Sequence, residues 1–166
     1  GRHTRLRRDW SSDVCSSDLI GLVFGFQHTG EFFLFDWKQW DQSNQFGVAE
    51  TGMSIKKFQS EVPVSFGHLW PTLSDLPGVE LLYHNNTPWK STRSYRIELK
   101  IVEGAFQLTV SDRVGIVDSI VIEDPDFKAG KVGFYSYSQS ETEVQGDRKS
   151  KRLNSSHVVI PEAVLC

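Results

Sequence analysis

Residues 21–40 read GLVFGFQHTGEFFLFDWKQW, and this stretch decides the fold class of the chain. The pattern predicts two strands joined by a tight turn at residues 28–30, where His-Thr-Gly separates two apolar runs. The returning strand, residues 32–37, carries apolar side chains on both of its alternating faces. Such a strand is typical of the centre of a sandwich or of a sheet beneath a covering layer. The stretch therefore predicts a central, buried hairpin.

Strand signals continue along the chain after this hairpin. Residues 94–103, SYRIELKIVE, alternate between apolar and polar side chains and predict a strand with one wet face. The one competing helical signal, residues 64–75, is short and contains Pro71. Turn signals at these spacings are typical of an all-β sandwich, which is the predicted fold class. The remaining strand candidates are residues 47–58 (interrupted at Thr51 and Gly52), 79–83, 106–110, 115–122 and 131–137.

The two ends of the chain resemble translated sequencing-adapter DNA. Residues 9–19 read DWSSDVCSSDL, and residues 149–157 read KSKRLNSSH. Codons for the first segment can be chosen so that their reverse complement spells KSTRLNSS, which differs from the second segment only at Lys151. A natural Ser-rich linker would not explain this relation between the two strands of DNA. Three parts are therefore predicted: an adapter-like artefact (1–19), a genuine domain (20–146), and an adapter-like artefact and tail (147–166).

Setting the flanks aside changes the charge of the predicted domain. The whole chain carries 18 basic and 21 acidic residues, a net charge of −3. Residues 20–146 hold 10 of the basic and 16 of the acidic residues, which gives −6. An acidic domain disfavours nucleic-acid binding and is compatible with cation binding. Both cysteines, Cys15 and Cys166, lie in the flanks, so no disulfide is predicted. No apolar run approaches the roughly 18 residues of a membrane span, and none is predicted.

Six sequence blocks occur in the order seen in the thrombospondin C-terminal domain, so the chain resembles that family over residues 21–140. The resemblance implies a lectin-like jelly-roll sandwich of the concanavalin type. Because family members begin with further strands and an acidic segment, the sandwich is expected to be incomplete at its N-terminal side. The closing block is the most specific one. The blocks are GLVFGFQ, FFLFDWKQ, VAETGMSIK, LLYHN, SYRIEL and GKVGFYSYSQ.

The resemblance also implies a function: a calcium-binding, non-catalytic recognition module for adhesion or matrix contact. It would be secreted or on the cell surface and would bind an extracellular protein or glycan. Calcium prefers carboxylate oxygens, and the candidate ligands are Asp124, Asp126, Asp118 and Asp36. The competing interpretation makes Asp124 and Asp126 turn formers and pairs Asp36 with a lysine. The family's acidic segment, expected to supply calcium ligands, is predicted to be missing here.

The alternative function is that of a carbohydrate-binding or glycosidase-like concanavalin sandwich. Trp70 and Trp89 lie beside prolines in loop contexts and could stack on sugar rings if exposed. The competing interpretation packs them as lids over an edge of the core. Glu141 and Glu143 alternate as glycosidase carboxylates do but lack neighbouring aromatic residues, and no nucleophile motif is present, so no enzyme is predicted. Residues 85–87, Asn-Asn-Thr, are formally a glycosylation acceptor in a eukaryotic source.

Overall fold

The computed structural model of the chain describes residues 19–91, 93–137, 143–151 and 155–164, with the backbone alone for Leu19 and for residues 134 onwards. Within these residues the chain is built almost entirely of strands. They are β1 (Leu19–His28), β2 (Glu31–Lys38), β3 (Gln42–Asn44), β4 (Gly47–Ala49), β5 (Gly52–Gln59), the short helix α1 (Phe66–Leu69), β6 (Val79–His84), β7 (Ser94–Val102), β8 (Ala105–Ser111), β9 (Ile116–Glu123), β10 (Lys131–Tyr137), β11 (Glu143–Lys151) and β12 (Ser155–Val164).

The strands form two five-stranded sheets that pack face to face. The first sheet has the order β10-β1-β2-β5-β6, and the second has the order β11-β12-β7-β8-β9. Neighbouring strands are antiparallel throughout both sheets. The small hairpin of β3 and β4 stands apart from both. The prediction of an all-β sandwich is confirmed.

The hairpin of β1 and β2 lies at the centre of the first sheet, as the sequence predicts. Every residue of β2 after Glu31 is buried. On one face Phe33 and Phe35 point into the core between the sheets, and on the other face Phe32 and Leu34 form a second apolar cluster. The expectation of a strand covered on both sides is therefore confirmed.

The hairpin turn requires glycine because another backbone segment passes next to it. A Cβ atom on Gly30 would lie 2.2 Å from the carbonyl oxygen of Ser60. Ser60 in turn donates its N–H to the Gly30 carbonyl at 2.8 Å. This contact holds Ser60, the residue after β5, against the turn between β1 and β2.

The core between the sheets is apolar and rich in aromatic rings. Leu99 and Leu108 from the second sheet face Phe24 and Phe35 from the first, and all four side chains are buried. Phe24 packs edge-on against Phe106 with the ring centroids 4.8 Å apart. Each such side chain stabilises the fold by about 1.5–3 kcal/mol relative to an exposed one. This layer supplies the main apolar burial of the sandwich.

Predicted strand and helix limits differ from the structure at three places. The interrupted strand predicted at residues 47–58 is two strands, β4 and β5, that belong to different sheets. The helical signal at 64–75 yields only the single turn α1, because the residue that follows Trp70 is Pro71, which has no N–H to donate. The polar strand β3 was not predicted, since Gln42–Asn44 has no apolar alternation.

The C-terminal part of the second sheet lies in the segment that the sequence analysis set aside. Strand β12 pairs with β7, and β11 pairs with β12. The predicted boundary after residue 146 falls inside β11. Both strands were missed because the segment was excluded from fold reasoning. The adapter origin of residues 1–19 and 147–166 stays a prediction.

Candidate functional site

Asp36, one of the predicted calcium ligands, lies on the outer face of the first sheet and is bound by side chains of β5. Its Oδ1 accepts a hydrogen bond from the Ser54 hydroxyl at 2.5 Å, and its Oδ2 lies 3.0 Å from Lys56 Nζ. The fully buried Lys56 ammonium also donates to the carbonyls of Leu69 at 2.6 Å and Pro71 at 2.8 Å. The Lys56 ammonium group, held in place by these hydrogen bonds, therefore already pairs with the Asp36 carboxylate. This agrees with the competing interpretation, which pairs Asp36 with a lysine.

Asp124 forms a buried turn after β9 and is bound by a second lysine. Its Oδ2 lies 2.5 Å from Lys57 Nζ, and its Oδ1 accepts the N–H of Asp126 at 3.0 Å. The backbone closes the same turn, with the Phe127 N–H donating to the Asp124 carbonyl at 2.9 Å. The turn-forming role of Asp124 is confirmed. Because Lys57 belongs to β5, this pair also ties the first sheet to the loop that follows β9.

Asp118 on β9 holds the two sheets together at their edges. Its Oδ2 accepts hydrogen bonds from Tyr83 Oη at 2.5 Å and from Asn85 Nδ2 at 2.6 Å. Burial, and secondly the hydrogen bond to Asp118, raise the pKa of Tyr83 above its ordinary value of 10.0. The phenol therefore remains protonated at neutral pH and keeps donating to the carboxylate. Asp118 thus accepts hydrogen bonds from the opposite sheet, and its Oδ2 is already bound to two protein donors.

The four predicted ligands do not form a calcium site. Asp126 is exposed, whereas Asp36, Asp118 and Asp124 are bound to protein donors on separate elements. Among the described residues, no group of three or more His, Cys, Asp or Glu side chains could hold a metal ion. Calcium takes about six to eight oxygen ligands from carboxylates, carbonyl groups and water. The described donor set does not fit that requirement.

Trp70 and Trp89, the candidate sugar-binding residues, both have buried side chains. Trp70 is 3% exposed, and Trp89 is fully buried in the core between the sheets. Lys38 Nζ lies 4.1 Å from the centroid of the Trp70 ring, within the range of a cation–π contact. Loops that carry these residues fold back over the sheets, which agrees with the interpretation of the tryptophans as lids. Neither ring presents a free face to a sugar in this structure.

Residues 60–78 form a cover segment over the outer face of the first sheet. Val64 and Leu69 pack against the second apolar cluster, and the carbonyls of Leu69 and Pro71 accept from Lys56. The complete burial of Lys56 is not predicted by the strand pattern. The available signal was Asp36, a single carboxylate within an otherwise apolar strand. A buried carboxylate requires a cationic or hydrogen-bonding partner, so a buried lysine nearby could be expected.

A tight turn between β8 and β9, which we call the β8–β9 tip (residues 112–116), presents apolar side chains to solvent. Val114 is 90% exposed and Ile116 is 71% exposed. Asp112 Oδ1 accepts the N–H groups of Val114 at 2.8 Å and Gly115 at 3.2 Å, and Arg93 Nη1 lies 2.9 Å from Asp112 Oδ2. The hydrogen bond from the Val114 N–H is the main cause that lowers the pKa of Asp112 below its ordinary value. The tip is thus an ordered structure that the sequence analysis did not identify.

Comparison with known proteins assigns the chain to a family. A family model described as the thrombospondin C-terminal region matches residues 10–145. The chain belongs to this family. Cartilage oligomeric matrix protein of Homo sapiens is 30% identical over 139 residues, which cover 76% of the chain and 18% of that relative. Thrombospondin-3b of Danio rerio is 29% identical over 135 residues, covering 74% and 14%. Thrombospondin-2 of Gallus gallus is 30% identical over 136 residues, covering 74% and 12%.

The family match confirms the resemblance stated from the sequence blocks. The chain spans less than a fifth of the length of these relatives. The match begins at residue 10, inside the predicted N-terminal artefact, and ends at residue 145, next to the predicted end of the domain. Within the described part of the chain, no helix has the length and apolar character needed to cross a bilayer.

Proposed function

We propose that this thrombospondin C-terminal domain is a non-catalytic extracellular recognition module that contacts a protein of the matrix or of a cell surface. Membership of the family carries the proposal, since the match covers most of the chain and one relative is named as a matrix protein. The extracellular location predicted from the resemblance agrees with that name. The sandwich supplies a rigid scaffold, and recognition would fall to its loops and edges.

The β8–β9 tip is the part of the described surface that we assign to the contact. Val114 and Ile116 are the most exposed large apolar side chains among the described residues. Burial of these two side chains against a partner would be favourable, and it would cost little conformational entropy because hydrogen bonds already hold the turn. Arg93 and Asp112, which brace the turn, add a polar rim around the apolar centre.

A cell-attachment assay on wells coated with the purified chain tests the proposal. The coated chain should retain cultured connective-tissue cells, and the double substitution Val114→Ser and Ile116→Ser should reduce their number. Leu73→Ser, which changes an exposed leucine of the cover segment, is the matched control and should leave attachment unchanged. If the chain retains no more cells than an albumin coat, the proposed function fails. If the double variant attaches cells as well as the unaltered chain, the contact lies elsewhere on the domain.

Calcium binding is the part of the proposal that rests on resemblance alone. We place any calcium ion outside Asp36, Asp118 and Asp124, because lysine, tyrosine and asparagine donors already bind these carboxylates. Thermal melting with added calcium and with a chelator tests this part separately. A melting temperature that is the same in both solutions would remove calcium from the proposal and leave the adhesion role standing.

The carbohydrate-binding alternative receives no separate proposal. It depended on exposed rings at Trp70 and Trp89, and both side chains are buried. The proposal also includes no catalytic step, in agreement with relatives that are named as thrombospondins and as a matrix protein.

A further inference from the structure

Asn85 lies directly after β6, and its side-chain amide is fully engaged in hydrogen bonds. The carbonyl oxygen Oδ1 accepts the N–H groups of Met53 at 2.9 Å and of Thr87 at 3.0 Å. The nitrogen Nδ2 donates to Asp118 Oδ2 at 2.6 Å and to Tyr83 Oη at 3.3 Å. A primary amide offers two donor hydrogens and one acceptor oxygen. Every hydrogen-bonding position of this side chain is therefore used.

The backbone of Asn85, a half-buried residue, is also held against the start of β5. Its N–H donates to the Met53 carbonyl at 3.0 Å. A Cβ atom on Gly52 would lie 1.9 Å from the Asn85 carbonyl oxygen, and the φ of Gly52, +106°, is one that L-residues rarely adopt. Asn85 is thus packed against the start of β5 on one side and hydrogen-bonded to β9 of the opposite sheet on the other.

The same residue is the acceptor of the sequon Asn85-Asn86-Thr87. We propose that the fold closes this sequon: Asn85 can be N-glycosylated only while the chain is unfolded, and a glycan at Asn85 and the native sandwich exclude each other. This inference concerns the folding of the domain and does not depend on its adhesion partner. It applies wherever the chain enters a eukaryotic secretory pathway.

The chemistry of glycan transfer explains the exclusion. The transfer forms a bond between Asn85 Nδ2 and the anomeric carbon of an oligosaccharide carried on a lipid diphosphate. The lipid diphosphate leaves, and Nδ2 gives up one of its two hydrogens as a proton. A single hydrogen then remains for the contacts of Nδ2 with Asp118 and Tyr83. The sugar ring would then stand where β6 and β9 are joined.

The test exposes the purified full chain to a purified oligosaccharyltransferase and a lipid-linked oligosaccharide, and reads modification at Asn85 by peptide mass spectrometry. The native chain should gain no mass at this residue. Phe35→Asp, which places a charge in the core and unfolds the chain, leaves the sequon intact and should be glycosylated. Circular dichroism and thermal melting establish which samples are folded before the reaction.

Two further variants serve as controls within the same fold. Thr87→Ala removes the sequon while keeping the Asn85 amide and the backbone N–H that binds it, so it should stay unmodified at Asn85 even when combined with Phe35→Asp. Lys90→Asn creates a new sequon over residues 90–92 with its acceptor at the exposed position 90, and the native form of this variant should be glycosylated there. Equal modification of Asn85 in the native and unfolded chains would overturn the proposal. Refusal by both chains would overturn it too, because something other than the fold would then close the site.

Discussion

The two faces of the first sheet are both buried, but different interactions bury them. The inner face presents Phe35 and Ile55 to the second sheet, where apolar side chains pack against each other. The outer face combines a small apolar cluster with the buried pair of Asp36 and Lys56, over which the cover segment lies. Adjacent residues of one strand, Ile55 and Lys56, point to opposite faces and are both fully buried. Burial of this sheet therefore does not require apolar side chains where a buried charge has its partner.

We expect the largest effect from breaking the buried pair on the outer face. Lys56→Met leaves Asp36 buried without its cation and removes the donor to the Leu69 and Pro71 carbonyls. Loss of one partner of a buried ion pair costs about 3–5 kcal/mol of unfolding free energy. Urea unfolding followed by tryptophan fluorescence measures the change.

The double variant Asp36→Leu with Lys56→Met is the control for this prediction. Replacing both members of a buried pair by apolar residues of similar size is often neutral or stabilising. The double variant should therefore be more stable than Lys56→Met alone. A double variant that is no more stable than the single one would mean that Lys56 acts by holding the cover segment through Leu69 and Pro71 rather than through its charge.

Truncating a side chain on the inner face should lower the free energy of unfolding by a similar or somewhat smaller amount. Here the loss should depend on how many carbons are removed. Ile55→Ala removes three carbons from the core and should destabilise the domain by about 2–5 kcal/mol, and Ile55→Val by about 0.5–1.5 kcal/mol. The same urea unfolding measures both. Costs that do not follow the number of carbons removed would contradict the description of this face as a packed apolar layer.

The sequence predicted the inner face well because its signal is periodic. Alternation in β7 and the apolar run of β2 placed seven of the described core residues, and Ser94–Val102 is buried at every second position as expected. The outer face was harder to predict. Nothing in the strand pattern shows that residues 60–78 return over this face and bury Lys56 completely.

The candidate site shows the same limit of sequence reasoning. The sequence points to Asp36, Asp118 and Asp124 as candidate calcium ligands, but the donors that bind them come from distant parts of the chain. Lys57 and Asp124 are joined only when the two sheets pack, and Trp89 is buried only when its loop returns to the core. A carboxylate can be located in a sequence, whereas the donor that satisfies it depends on tertiary structure.

The contact between Tyr83 and Asp118, where the edges of the two sheets meet, should stabilise the fold less at alkaline pH. The pKa of Tyr83 is raised above 10.0 in the folded chain, so the native state binds more protons than the unfolded state above that pH. This contribution is fully present below pH 10.0 and is lost as the pH rises through the folded pKa. Tyr83→Phe removes the hydrogen bond to Asp118, at a cost of about 1 kcal/mol at neutral pH.

Urea unfolding at neutral pH and above pH 10.0 distinguishes this effect from general alkaline denaturation. The unaltered chain should lose stability more steeply than Tyr83→Phe as the pH passes the phenol pKa. Tyr135→Phe, on β10, is a control for the loss of a tyrosine elsewhere in the first sheet. Parallel curves for the unaltered chain and Tyr83→Phe would contradict the coupling between this phenol and the fold.

We expect the smallest effect from an exposed ion pair whose N–O distance is close to that of the pair of Asp36 and Lys56. Lys128 Nζ lies 2.9 Å from Glu31 Oε1, close to the spacing in the buried pair, yet the lysine side chain is 64% exposed. Water and salt screen such a pair, so an exposed pair contributes little to stability. Lys128→Ala should therefore change the urea midpoint slightly, and high salt should abolish the difference. Salt should leave the larger effect of Lys56→Met in place, because solvent ions do not reach that pair. If Lys128→Ala proved as damaging as Lys56→Met, burial would not be what separates the two pairs.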